Sequence, residues 1–207
     1  MKSHHNPLLR LTTAAAATVA FVASAHAADL TWNAGLPGDC NTSNTNWSGS
    51  TWNNGTPDNA IFNNISGAIT LTEAITGGSL SFGAGGAPSG GHYTTLTGSN
   101  LSLGSVSVWG GYNPSAGGGG VDSIGQAYDQ RLTFQNMTVN VSGNAAVGRG
   151  MLYLNGAAMD VSGTILSDNA WNIFRADNST VTATGGIDFS SIASAVELYG
   201  GTVTTPF

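Results

Sequence analysis

The chain of 207 residues has one lysine, Lys2, and one cysteine, Cys40. A lone cysteine excludes an internal disulfide and any paired-cysteine metal site. Charged residues make up 8% of the sequence, against about 25% in ordinary domains. Long solvated helices draw on such residues, and no stretch here gathers Ala, Leu, Glu and Lys at helical spacing. There is no phosphate-cradling glycine loop, no zinc-ligand spacing and no serine-hydrolase motif. Cofactors are therefore not expected.

The first 27 residues stand apart. "MKSHHNPLLR" carries Lys2 and Arg10, and "LTTAAAATVAFVASAHA" supplies an apolar run ending in Ala25-His26-Ala27. A basic start, a short apolar middle and small residues before the cut describe a secretory signal peptide. The run is shorter than the ~20 residues that span a bilayer. Cleavage is expected after Ala27, with the product secreted or displayed at the cell surface. The mature chain then keeps three basic residues, Arg131, Arg149 and Arg175, against eleven acidic ones, a net of −8. Nucleic acid and anionic membranes require basic patches, so neither is an expected partner. After cleavage no membrane insertion is expected within this chain.

What the sequence does contain is Ser, Thr, Asn and 30 glycines. Residues 28–62 hold Trp32, Trp47 and Trp52 amid turn residues and read as an N-terminal cap. From about residue 63 short runs alternate, through Ile69, Leu71, Leu80 and Phe82, then Leu101, Leu103, Val106 and Val108, as strands do. The stretch "WGGYNPSAGGGGVDSIGQAYDQ" (109–130) lacks alternation and reads as a loop leaving the array. Beyond it, "LTFQNMTVNVSG" and "LYLNGAAMDVSG" set Leu132, Phe134, Val139 and Val141 twenty residues before Leu152, Leu154, Met159 and Val161. The lattice continues from Met159 to Val181 to Val203, and from Leu152 to Ile173. One repeat cannot bury its own apolar residues; stacked repeats bury them along a common axis. The expected fold is all-β, a right-handed parallel β-helix or solenoid over residues 63–207, about seven turns, behind the Trp-rich cap. An antiparallel β-sandwich is the alternative that turn signals alone permit.

Trp32, Asn46, Trp47, Pro57, Asp58, Ala60 and Phe62, in "TWNAG…NTNWSGSTWNNGTPDNAIFNN", together with the alternating pair "GAITLTEAITGGSLSF…YTTLTGSNLSLGSVSV", resemble secreted bacterial proteins with autotransporter-associated β-strand repeats. The resemblance covers most of the mature chain. It implies an exported, passenger-like parallel β-solenoid. Such chains commonly carry an outer-membrane barrel or a Pro-Glu-Pro-type sorting tail; the repeat here stops in mid-phrase at Val203, as expected of a piece of something longer.

Site residues are few. Trp109 and Trp52 are the candidates for stacking a glycan through an exposed indole, whereas Trp32 and Trp47 suit the cap. "GGGGVDSIG" (117–125) has the form of a calcium nonapeptide with Asp122 as ligand, but its neighbours do not continue the pattern. Asp160, Asp168, Asp177 and Asp188 fall singly, without the paired carboxylates of glycoside hydrolysis. His92 reads as a solvated loop residue, and Cys40 as a buried thiol. The Asn-x-Ser/Thr triplets at Asn46, Asn64, Asn136 and Asn178 are what this composition produces. The expectation is a non-enzymatic structural or adhesion solenoid, binding surface glycans or its own kind. A carbohydrate-active β-helix is the alternative.

Overall fold

A computed structural model describes residues 27–63, 65–83, 92–109, 120–121, 127–128, 130–168, 172–191 and 193–206. The expected signal peptide (1–27), apart from its last residue Ala27, lies outside the described residues, as do Asn64 and Asp122. In chain order the strands are β1 (Asp29–Thr31), β2 (Gly38–Cys40), β3 (Asn59–Phe62), β4 (Gly67–Leu71), β5 (Ile75–Phe82), β6 (His92–Gly98), β7 (Leu101–Trp109), β8 (Gly120–Val121), β9 (Ala127–Tyr128), β10 (Gln130–Gln135), β11 (Thr138–Val141), β12 (Ala145–Gly148), β13 (Met151–Asn155), β14 (Ala158–Val161), β15 (Ile165–Ser167), β16 (Ile173–Ala183), β17 (Ile187–Asp188) and β18 (Ala195–Thr204).

The strands form a parallel solenoid with three faces. β2, β4, β6, β10, β13, β16 and β18 stack in the first face, seven coils deep. The second face holds the first half of β5 and β7, then β11, β14 and the later halves of β16 and β18. The third holds β1, β3, the later halves of β5 and β7, then β12, β15 and β17. Six intervals of about 4.8 Å give the first face a height of about 29 Å. Every strand pairing in these faces is parallel, which rules out the antiparallel sandwich. The stack begins at β1 and β2, inside the segment expected to be a cap alone, and six first-face strands follow residue 63. β7 reaches Trp109 and β10 starts at Gln130; the chain between them contains an antiparallel pair, β8–β9.

The twenty-residue register holds where it was read. Leu132 lies on Leu152, Phe134 on Leu154, Val139 on Met159 and Val141 on Val161. All eight are buried, and each such side chain stabilises the fold by about 1.5–3 kcal/mol. The next step differs by one residue. Leu152 rests on Phe174, and Ile173 pairs with Met151. The interval there is 22, as in the second face, and the adjacent apolar residues Ile173 and Phe174 hide the shift from a pattern search. Ile173 and Met151 point outward and form a small separate cluster with Tyr93, Tyr153 and Ala195.

Two corners explain the glycines and asparagines. At the first, Gly98, Asn136, Gly156, Asn178 and Gly200 stack in turn, all with positive φ. Glycine and asparagine tolerate that conformation best. A Cβ on Gly156 would sit 2.5 Å from Asn136 Oδ1, and one on Gly200 would sit 2.8 Å from Asn178 Oδ1. Each glycine thus makes room for the asparagine of the preceding coil. At the second corner Gly78, Gly104, Gly143, Gly163 and Gly185 stack. Gly143, Gly163 and Gly185 each donate a backbone hydrogen bond to the glycine before, at 2.8–2.9 Å.

The start of the solenoid is closed by side chains. Trp47 packs edge-on to Trp32 at 5.0 Å, and against Trp52 at 4.9 Å and Phe62 at 5.3 Å. Trp52 Nε1 donates to the Thr76 carbonyl, and Asn54 Oδ1 accepts from the Thr76 amide. Asn54 Nδ2 also donates to the Ala74 carbonyl. These contacts occupy backbone groups of β5 that a preceding strand would otherwise take. The buried Asp58 carboxylate accepts from the amides of Ala28 and Asn53. β18, at the other end, pairs on one side only among the described residues, with Val196 and Leu198 exposed.

Candidate functional site

The outer surface of a parallel stack repeats each side chain's position one coil further on. On the first face this register brings together residues far apart in the chain. Tyr93 pairs with Arg131, and one coil on, two residues along the strand, lies Tyr153. Tyr153 pairs with Arg175, and again one coil on and two along lies Tyr199. The result is a diagonal stripe, Tyr93–Arg131–Tyr153–Arg175–Tyr199, one residue per coil.

The arginines lie on the tyrosine rings. Arg131 sits 4.9 Å from the Tyr93 centroid. Arg175 sits 5.3 Å from that of Tyr153 and 4.7 Å from that of Tyr199. Guanidinium over an aromatic face is attractive, by about 0.5–1 kcal/mol at exposed sites.

The two arginines differ in their anions. Arg175 binds Asp177 through two nitrogens, at 3.0 and 2.8 Å, and reaches Glu197 at 3.5 Å. The Tyr153 hydroxyl donates to Asp177 at 2.8 Å. The Arg175 guanidinium holds the Asp177 carboxyl below the usual carboxylate range. Burial, then the hydrogen bond to Asp177, raises the Tyr153 phenol. Arg131, by contrast, has no carboxylate within ion-pair distance among the described residues. Its Nε is buried without a hydrogen-bond partner, as is the hydroxyl of Thr133, two residues along the same strand.

A second feature lies beside the glycine corner. An open groove of about 530 Å³ is lined by Thr76, Ser102, Asn140 and Asp160, with Ser162 and Pro57. Gly77, Gly78 and Gly104 line it without side chains, which leaves the space open.

The residues singled out in the sequence fall in different places. Trp52 is buried, 3% exposed, in the aromatic closure; it offers no ring face to a glycan, because the hydrophobic end of the core takes it. Trp109 is exposed at 38%, at the end of β7, its ring over Gly148. Trp32 and Trp47 are buried beside Trp52. The calcium candidate Asp122 lies outside the described residues, and no group of three or more metal-ligating side chains gathers among those described. Asp160 stacks between Asn140 and Thr182. Asp177 is tied to Arg175 and Tyr153, and Asp188 lies beside Leu166. His92 is the first residue of β6, partly buried, and this burial lowers its pKa; it is not a loop residue. Asn46 Nδ2 bonds the Asp39 carbonyl, and Asn136 and Asn178 are corner residues. The free thiol of Cys40 is buried, which pushes its pKa up to about 12.

Sequence reasoning missed the stripe. Its signal was nonetheless present: the twenty- and 22-residue steps that align the core also carry Thr133 to Tyr153 and Tyr153 to Arg175.

Fold and surface define the class: an all-β parallel solenoid with an aromatic closure and a mixed aromatic–cationic outer face. Comparison with protein-family models, with curated proteins and with solved structures gives no match for the chain.

Proposed function

We propose that the chain is an exported, non-catalytic β-solenoid that serves as spacer, display or adhesion element at the cell surface. The observation that carries this reading is the continuous seven-coil stack, whose buried spine leaves short neutral side chains outside. On the second face Thr76, Ser102, Asn140 and Thr182 are of this kind, with the single carboxylate Asp160 between the last two. Such ladders offer hydrogen bonds without strong charge, as expected of a surface that meets hydrated polymers. The carboxylates Asp177 and Glu197 engage the Arg175 guanidinium rather than standing free as an acid–base pair. The resemblance to autotransporter-associated repeat proteins points the same way.

The test has two parts. Expressed in a Gram-negative host, the protein is expected outside the cytoplasm with its N-terminus at Ala28. Incubated with a panel of polysaccharides, it is expected to release no reducing ends. Retention in the cytoplasm with Met1 intact would overturn the export reading, and steady release of reducing sugar the non-catalytic one. The second reading, a carbohydrate-active β-helix, draws on the groove at the glycine corner and the exposed Trp109 ring. For partners, we propose glycans along the outer faces and a second copy at the β18 edge, which among the described residues pairs on one side only and so suits strand addition.

A further inference from the structure

The second corner changes shape along the rod. In β7 Gly104 follows Leu103 directly. In the next coil Ser142 stands between Val141, which pairs with Leu103, and Gly143, which bonds to Gly104. Ser162 is inserted in the same way between Val161 and Gly163. The later coils therefore carry a shoulder of exposed serines that β5 and β7 lack. On the other side the Pro57–Asp58 loop takes the place of a preceding coil, and the Gly78 amide donates to the Asp58 carbonyl at 2.9 Å. The open groove of about 530 Å³ is the notch between this loop and that shoulder. Its size falls within the range of about 300–1,000 Å³ common to small-molecule sites.

The notch has two kinds of wall. Gly77, Gly78 and Gly104 offer backbone, with Leu103 between coils and the saturated ring of Pro57 at the end. Along one side Thr76, Ser102, Asn140 and Asp160 form a single column, one residue per coil. Thr76, Asn140 and Asp160 are exposed and Ser102 is half-buried. Hydroxyls and a carboxamide both donate and accept, whereas a carboxylate accepts only, through two oxygens. Two adjacent hydroxyls on one ligand match those two oxygens. An anionic ligand would set like charge against Asp160, which is costly at contact, and the net charge of −8 adds to the repulsion.

We propose that this notch binds a neutral saccharide, with Asp160 accepting from a pair of adjacent free hydroxyls and Asn140 donating and accepting beside it. The apolar face of the sugar ring lies on Pro57 and the glycine floor. The inference rests on the glycan-binding part of the proposed function, to which it adds a site and a sugar class, and it is independent of export and of turnover.

The test is calorimetric titration of the full chain with xylotetraose, cellotetraose and mannotetraose as neutral probes and tetragalacturonate as the anionic one. At least one neutral probe is expected to bind. The same probe with its hydroxyls methylated, and tetragalacturonate, are expected to bind at least tenfold more weakly. Asp160→Asn and Asn140→Ala should each weaken the neutral probe at least tenfold, and Asp160→Asn should also narrow the gap to tetragalacturonate. Thr182→Ala, in the same column one coil beyond the notch, should bind as the parent does. The site is overturned if methylation changes nothing, if tetragalacturonate binds as tightly as the neutral probes, if Asp160→Asn and Asn140→Ala both bind as the parent does, or if Thr182→Ala weakens binding as much as they do. Those four results leave glycan binding standing elsewhere on the surface, whereas no binding by any neutral probe removes both. Release of reducing ends would overturn the non-catalytic reading alone.

Discussion

The amide of Gly143 donates to the carbonyl of Gly104 at 2.8 Å, and a methyl on Gly143 would come within 2.6 Å of that same oxygen. The second corner is thus built on backbone contact. On Gly163 a methyl would meet the Gly143 carbonyl at 2.5 Å as well as the Asn144 side chain. Backbone cannot move aside as a flexible side chain can. Gly143→Ala and Gly163→Ala are expected to cost about 1–3 kcal/mol or more. Gly35→Ala, with nothing within 4 Å, is expected within about 0.5 kcal/mol of the parent. Denaturant unfolding of the three variants decides it; equal midpoints would refute the packing argument.

Asp58 joins the first described residues to the loop before β3. Its buried carboxylate takes amides from Ala28 and Asn53 at 3.0 and 2.9 Å. Hydrogen bonds to a charged group contribute more than neutral ones, so Asp58→Ala is expected to lose about 2–3 kcal/mol. Asp58→Asn should lie between, since its amide retains one acceptor. Tryptophan fluorescence reports the loss directly, because Trp32, Trp47 and Trp52 pack beside this loop.

Cys40 should be chemically silent in the folded chain. Burial holds its thiol up to about 12, and the thiolate is the reactive form. Iodoacetamide at pH 8 is expected to leave it unmodified in buffer and to alkylate it fully in denaturant. Rapid labelling of the folded protein would mean that the closure opens.

Acid should loosen the first face. The folded Asp177 carboxyl titrates below its unfolded value of about 3.9. Its contribution is therefore complete above that value and fades as pH falls through the lower folded value. Asp177→Asn should flatten this part of the stability–pH curve below about pH 4. At neutral pH it should cost about 1 kcal/mol, the scale of a partly exposed ion pair. Thermal unfolding from pH 2 to pH 7 gives both readings.

The core was legible in the sequence because it depends on period alone. Leu132 over Leu152 needs only a count of twenty, and the solvent-averse letters supply it. The corners were legible in kind, since positive φ selects glycine and asparagine, but their alternation was not. It depends on the Asn136 side chain filling the space over Gly156, a contact between coils. Trp52 was misplaced because an indole suits a sugar platform and a hydrophobic plug equally; only its neighbours Trp47 and Thr76 decide. The stripe was missed because polar letters on an outer face carry no burial signal. Its residues are related by a diagonal, two positions along for every two coils.

The first corner also fixes how such a rod can lengthen or shorten. Its residues run glycine, asparagine, glycine, asparagine, glycine, and tyrosine and arginine alternate across the same five coils. Excising one coil would set glycine against glycine, or asparagine against asparagine, and bring two like stripe residues together. Excising two restores the alternation at the corner. Over these five coils the corner therefore repeats every second coil, whereas the core repeats with each one.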